Sequence, residues 1–322
     1  MSVLVTAPHI PVLLAPALEA LAPRAGGLYL DGTVGYAGHA SALLEAAGAG
    51  ARLCGLDRDE TALDFARQRL TPWGDAACLF HKRYSQFEAA LDELGWKGID
   101  GALLDIGVSS LQLDHAERGF SFHSDGPLDM RMDQRSTEPS AWQFVNRERF
   151  EVLKDCILRM GEDPQAGRIA RAIVDARQKA PIDTTEQLAT IVERAYPSAW
   201  RAKARNHPAT RTFQAIRMAV NDELGELEQF MHAILGRLNL GGRLVVITFH
   251  SLEDRIVKHA MRTWAEGCRC PRHVMRCVCH HVPEVRILHK KPLSATPEEL
   301  ARNPRASSAK LRAVEKIAEA QA

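Results

Sequence analysis

Through the first 115 residues, short apolar runs alternate with stretches in which apolar residues recur every three or four positions. Leu28-Tyr29-Leu30-Asp31, Arg52-Leu53-Cys54-Gly55-Leu56-Asp57, Cys78-Leu79-Phe80-His81 and Gly101-Ala102-Leu103-Leu104-Asp105 read as strands. The stretches 38–48, 59–70 and 85–94 between them read as helices. Such alternation predicts right-handed crossovers and a parallel sheet, an α/β fold. The pattern stops at about 114, and 114–205 shows helical periodicity only, in Phe150-Glu151-Val152-Leu153, in Gly167 to Lys179 and in 183–196, with Thr184 or Thr185 as N-cap. This predicts an inserted helical subdomain of about 90–100 residues. Beyond it, Thr212 to about Leu240 reads as one long helix or two, and Gly241-Gly242 breaks the pattern before the buried-strand run Leu244 to Phe249. Val285 to Leu288 and Lys310 to Val314 complete seven strands, the last two joined by a connection long enough for antiparallel pairing. The domain boundaries expected are 1–113 and 206–322 for an interrupted core and 114–205 for the insert.

Composition adds two constraints. Hydrophobic residues at 46% and charged residues at 25% describe an ordinary globular chain, not a disordered or fibrous one. No apolar run approaches the roughly 18 residues of a membrane helix, and the N-terminus lacks the regions of a signal peptide, so a cytoplasmic enzyme without membrane contact is expected. The 41 basic and 40 acidic residues nearly cancel, but not locally. Residues 1–193 hold 19 basic and 28 acidic residues, net −9, and residues 194–322 hold 22 and 12, net +10. That asymmetry hints at a surface for a polyanion.

The first strand leads into Asp31-Gly32-Thr33-Val34-Gly35-Tyr36-Ala37-Gly38-His39. A glycine-rich turn between strand and helix lets a ligand approach the backbone closely. The glycines are spaced three and three, which is not the dinucleotide fingerprint. Asp57 ends the second strand about 20 residues on, where an acid accepts hydrogen bonds from a ribose diol. Asp31, Asp57 and Asp105 all end strands, and three acids on one rim repel a pyrophosphate. A cationic ligand with free hydroxyls suits them, and S-adenosylmethionine fits better than NAD.

Further blocks complete a longer pattern. They are His9-Ile10-Pro11-Val12-Leu13-Leu14, Leu56-Asp57-Arg58-Asp59, Leu104-Asp105-Ile106-Gly107-Val108-Ser109-Ser110, Ala116-Glu117-Arg118-Gly119-Phe120-Ser121-Phe122 and Gly126-Pro127-Leu128-Asp129-Met130-Arg131-Met132-Asp133. His207-Pro208-Ala209-Thr210-Arg211-Thr212-Phe213-Gln214-Ala215-Ile216-Arg217, Phe249-His250-Ser251-Leu252-Glu253-Asp254-Arg255 and Asn303-Pro304-Arg305-Ala306 follow. With the Asp31–His39 loop, these resemble, in order, the RsmH (MraW) family of S-adenosylmethionine-dependent methyltransferases of 16S rRNA. The resemblance implies a class I, Rossmann-like methyltransferase fold with a mostly parallel seven-stranded sheet and an inserted helical subdomain. It implies methylation of the exocyclic N4 of a cytosine in the decoding region, with the small ribosomal subunit or its 16S rRNA as partner. By motif position, cofactor contacts fall on Ala37, Gly38, His39, Asp57, Tyr84, Asp105 and Gln112. Similar proteins usually have Gly where Ala37 stands and Phe where Tyr84 stands. Ala37 narrows the loop if its φ is positive. A homodimer is compatible with the sequence, which does not decide it.

A cytosine N4 is a poor nucleophile, so transfer needs a group that accepts an N4 hydrogen bond and aligns the nitrogen with the methyl. Asp105 is the candidate; serving the cofactor alone is the other role open to it. Residues 194–217 hold Arg194, Arg201, Lys203, Arg205, Arg211 and Arg217 and no acid, with Tyr196, Trp200 and Phe213 interspersed. These suit phosphate contacts and base stacking, as does a solvated helix face with its aromatics inward. Arg302, Arg305, Lys310, Arg312 and Lys316 form a second basic patch. Phe120 and Phe122 are candidates to sandwich an extruded base, or core residues. His250 either faces the site or is a core histidine. Of seven cysteines, Cys268, Cys270, Cys277 and Cys279 cluster as two C-x-C pairs among Arg269, Arg272 and Arg276. Structural zinc, two disulfides and free thiols are the readings open to them. A non-catalytic RNA-binding assembly factor with a relict pocket is the rival outside enzymes. A DNA amino-methyltransferase is disfavoured, because Pro-Pro-aromatic is missing after the fourth strand.

Overall fold

The computed structural model describes residues 11–201, 207–268, 270, 276, 278–279 and 281–319, without the side chains of Ser110, Leu111, Ala199 and Arg201. The chain divides into two compact units, 1–107 with 225–322, and 108–224.

The first unit opens with α1 (Leu14–Leu21), β1 (Leu28–Asp31), α2 (Gly38–Ala47), β2 (Arg52–Asp57), α3 (Glu60–Leu70), β3 (Ala77–His81), α4 (Phe87–Glu93) and β4 (Ile99–Asp105). The second carries α5 (Ser110–Asp114), α6 (Ala141–Arg147), α7 (Phe150–Arg159), α8 (Ala166–Arg177), α9 (Thr185–Ala195), α10 (Ser198–Arg201) and α11 (Ala209–Asn221). The chain then continues through α12 (Glu223–Arg237), β5 (Leu238–Thr248), α13 (Ser251–Ala265), β6 (Val285–Ile287), α14 (Pro297–Arg302) and β7 (Lys310–Lys316).

All seven strands form one sheet in the order β3-β2-β1-β4-β5-β7-β6. Every pairing is parallel except those of β7, which runs antiparallel to both β5 and β6. This is the interrupted, mostly parallel sheet that the periodicity and the resemblance predict. Successive strand residues fall into two apolar layers, as period-two side chains must when both faces are covered. Tyr29, Leu53, Leu103, Val245 and Ile247 pack with α1 to α3 in one layer. Leu30, Cys54, Leu104, Leu244 and Val246 pack with α4, α12 and α13 in the other.

The second unit has its own core, in which Leu128, Met130, Val145, Leu153, Ile157, Ile169, Ile173, Leu188 and Phe213 are buried. Thr184 caps α9, its hydroxyl accepting from the Gln187 amide. Two boundaries differ from the expected ones. The second unit ends at 224 rather than 205, because α11 turns Ala209, Phe213 and Ile216 into that core. It begins at 108 rather than 114. Of the two readings open from 212, one long helix or two, the structure has two, parted at Asp222, whose φ of 48° closes α11 in the left-handed region that Asp tolerates. The Gly241-Gly242 pair lies inside β5, beside a register shift at Ile99/Gly101, rather than before the strand.

Gly32, just past β1, is closely covered by the layer that holds Leu104. A methyl there would lie 2.3 Å from Leu104 Cδ2 and 3.0 Å from Tyr84 Cβ. Gly32→Ala is expected to cost about 1–3 kcal/mol through overpacking, read by urea unfolding. Combined with Leu104→Ala, it is expected to cost less than the sum of the two single changes.

Candidate active site

The strand order reverses between β1 and β4, and in open parallel sheets that switch point opens a crevice at the carboxyl ends. Asp31 ends β1, Asp105 ends β4 and Asp57 ends β2 beside them. The loop from Gly32 to Ala37 is laced to these ends. The Gly32 amide donates to Leu103 O (3.0 Å) and the Val34 amide to Leu56 O (2.9 Å). The Asp105 amide donates to Thr33 Oγ1 at 2.7 Å. The Gly35 amide, with φ of 49°, donates to Asp57 Oδ2 at 2.8 Å. The other Asp57 oxygen accepts from the Asp59 amide at 2.9 Å. Each Asp57 oxygen keeps a second lone pair for a ligand hydroxyl.

The loop ends at Ala37, which leads into α2 with φ of 58°. The departure from glycine therefore falls on a left-handed residue, at a cost of about 1–2 kcal/mol. Gly38 follows, where a methyl would meet Pro11 Cγ at 2.5 Å. His39 is buried, and its Nε2 donates to Val12 O at 3.0 Å. That bond turns Nδ1 toward Asp105 Oδ2, 3.7 Å away. Tyr84 packs its ring edge-on against Phe230 at 5.8 Å, with Cβ over Gly32.

The electrostatics are unusual. Asp31 Oδ1 accepts from the Thr33 amide, while the buried Asp31 Oδ2 and Asp105 Oδ1 have no hydrogen-bond partner. Burial pushes the Asp105 carboxyl up to about 8, with Asp31 and Glu253 adding repulsion. Burial pushes Asp31 up to about 7, against the Thr33 amide and helped by Asp57. Asp57 rises to about 6 through burial, tempered by its two amide donors. Orphaned acids around a glycine loop fit a cation with a sugar diol, as S-adenosylmethionine is, and oppose a polyphosphate.

The first unit thus brings together Ala37, Gly38, His39, Asp57, Tyr84 and Asp105 of the expected cofactor set. Gln112 lies in the second unit, its Oε1 accepting from the Ser109 amide at 3.0 Å. Sequence reasoning missed Thr33, whose hydroxyl ties the loop to β4; only its place after Asp31-Gly32 signals it. His250 is an N-cap, not a core residue. Its Nδ1 accepts the Glu253 amide, and Glu253 Oε2 accepts the Phe249 and His250 amides, a capping box for α13.

In the second unit, Phe120 is buried in the core, with the Arg118 guanidinium 5.8 Å from its ring, so this ring cannot sandwich a base as it stands. Phe122 is half-buried and surrounded by rings: His207 at 4.6 Å, His123 at 4.8 Å and Phe213 edge-on at 5.0 Å. Arg211 donates to Glu162 O at 2.9 Å. Arg201 ends α10, and Lys203 and Arg205 lie outside the described residues. The sulfurs of Cys268, Cys270 and Cys279 lie within 4.8 Å of one another, and Cys277 lies outside the described residues.

The raised carboxyls have a measurable sign. The ligand-free site holds protons near neutrality, and a bound cation favours the ionised acids. Affinity for S-adenosylmethionine should therefore rise with pH from about 6 to about 8 and level off above. S-Adenosylhomocysteine, without the sulfonium charge, should show a shallower rise. Calorimetric titrations over that range, in buffers of different ionisation enthalpy, read both the affinity and the protons released.

The model of the MraW methylase family matches residues 6–317. Among curated relatives, a protein named ribosomal RNA small subunit methyltransferase H from Desulfovibrio desulfuricans is 73% identical, covering 97% of this chain and 95% of its own. Proteins of the same name from Nitratidesulfovibrio vulgaris and Lawsonia intracellularis are 73% and 55% identical, over 97% and 96% of this chain and 96% and 99% of theirs. With a glycine loop tied to three acids at the sheet's switch point and a family match along nearly its whole length, the chain belongs to the MraW methylase family.

Proposed function

We propose that this protein transfers the methyl group of S-adenosylmethionine to the exocyclic N4 of a cytosine in the decoding region of 16S rRNA, in the small ribosomal subunit. The observation that carries the reading is the acid rim itself, in which Asp31 and Asp105 each keep a buried oxygen without a partner. Asp57 would hold the ribose hydroxyls, the Gly32–Ala37 backbone would line the cofactor site, and Tyr84 would meet the base. Bound there, S-adenosylmethionine supplies an electrophilic methyl on a positive sulfur. Asp105, ionised beside that charge, accepts a hydrogen bond from the N4 amine and holds its lone pair in line with the methyl. His39, anchored through Val12, places its Nδ1 3.7 Å from that carboxylate. As the N–C bond forms and the S–C bond breaks, N4 gives up a proton, to Asp105 or to water.

The second unit supplies a surface for unpaired RNA in this reading. Phe122 is held from one side by the buried Phe213 and flanked by the exposed His123 and His207. His207 continues the basic stretch of Arg201, Lys203 and Arg205 in the chain. A base stacks on such rings while cations meet phosphates. Ribosomal RNA as substrate also means a cytoplasmic site of action, and among the described residues no helix is long and apolar enough to cross a membrane. A structural zinc ion on the four-cysteine cluster, of which Cys268, Cys270 and Cys279 are among the described residues, completes the reading.

Asp105→Asn is expected to lower methyl transfer to small subunits by about a hundredfold or more, a loss of alignment. Its affinity for S-adenosylhomocysteine, which lacks the sulfonium charge, should stay within a few-fold. A matching collapse in affinity would reduce Asp105 to a cofactor ligand. Labelled cofactor offered with small subunits, naked rRNA and duplex DNA separates this reading from a relict pocket, which labels none, and from a DNA enzyme, which labels the duplex. Phe122→Leu keeps an apolar contact for Phe213 and removes the stacking face. It should weaken binding of a single-stranded RNA oligonucleotide about 5- to 100-fold, measured by fluorescence anisotropy with the thermal midpoint checked in parallel.

A further inference from the structure

The segment 266–284, between α13 and β6, is hard to explain by packing. None of its described residues is buried, and its described apolar side chains face water, Val278 at 68% and Val282 at 40% exposure. No described residue in it belongs to a helix or strand. A connection of this length with no core of its own is uncommon in a compact unit. Yet its two ends are closed on each other, the Glu284 amide donating to Trp264 O at 2.8 Å. Glu284 O in turn accepts the Ile317 amide at 2.8 Å, which ties the exit of the segment to the end of β7. The strand it feeds, β6, is outermost in the sheet and, among the described residues, pairs only with β7.

What gathers the segment is sulfur. Cys268, Cys270 and Cys279 converge from its two halves. Cys268 and Cys279 sulfurs are 3.8 Å apart. A disulfide would need about 2.05 Å. Two thiolates sharing a tetrahedral zinc at about 2.3 Å each stand about 3.8 Å apart. The sulfurs also receive backbone amides, Cys270 N–H to Cys268 Sγ at 3.4 Å and Val278 N–H to Cys270 Sγ at 3.3 Å.

We infer that a zinc ion held by Cys268, Cys270 and Cys279 is the staple that folds the 266–284 segment and fixes the entry to edge strand β6. This rests on the zinc reading of the thiols and adds what the ion does. Binding energy at such a site is folding energy for the segment around it. The ion's role is structural, since none of the three sulfurs belongs to the acid rim.

The test uses the full chain, made without an affinity tag and kept reduced. Elemental analysis should find about one zinc per chain, and cobalt(II) put in its place should show thiolate-to-metal charge-transfer absorption. Cys268→Ser and Cys270→Ser should each lower the zinc content. Stripping the metal with a chelator should speed tryptic cleavage within 266–284 by about tenfold or more, with zinc restoring resistance. A reduced chain without zinc, and without cobalt–thiolate absorption, overturns the metal itself. A chain that carries zinc but is cut at the same rate after its removal overturns the staple and leaves the metal in place. Methyl transfer to small subunits, run on the same preparations, reports on the enzymatic reading separately.

Discussion

Asp57 accepts one amide from the glycine loop and one from the start of α3, and through those two bonds the loop, β2 and the next helix hold one another in place. Burying a carboxylate is costly unless donors face it, and this rim meets that cost unevenly. Asp57 is well supplied with amides, Asp31 has one, and Asp105 has an orphaned oxygen and a histidine at 3.7 Å. The gradient follows the sheet from β2 across β1 to β4. It grades the acids from the one best supplied with donors to the one least supplied.

The sheet could be read from the chain because its strands are short apolar runs ending at acids, with helices of clear period between them. The two-layer alternation of Tyr29 and Leu30, or Leu103 and Leu104, is the physical content of those runs. The end of the insert was not legible. The periodicity of 209–221 says that one face is buried, not in which core, and Phe213 and Ile216 turn out to join the second unit. Nor could it show the break at Asp222, where a single left-handed residue separates two helices of similar pattern.

The site was legible in part for related reasons. Strand ends and glycine spacing point to Asp31, Asp57, Asp105 and the loop. Which of two nearby phenylalanines is open depends on packing from elsewhere in the chain: Phe120 is covered and Phe122 stands among rings. His250 reads as chemistry by its type, yet its spacing to Glu253 is that of a capping box, and the cap is what forms. Ala37 illustrates the reverse case. The sequence posed the question of a positive φ there, and the backbone answers it at 58°.

The interruption of the sheet also dictates an order of events as the chain emerges during synthesis. Strand β4 pairs with β5 across the whole of the second unit, Leu103 opposite Val245. Until β5 is made, β1 to β4 form a half-sheet whose β4 edge has no neighbour, an adhesive surface for any other strand. Residues 108–224 are contiguous and carry a complete core, so they can fold while that edge waits. There is therefore a stage of synthesis at which residues 108–224 are all made and β5, the neighbour of β4, is not. The hazard of that stage is mispairing at β4, and its length is set by the time needed to translate from β4 to β5.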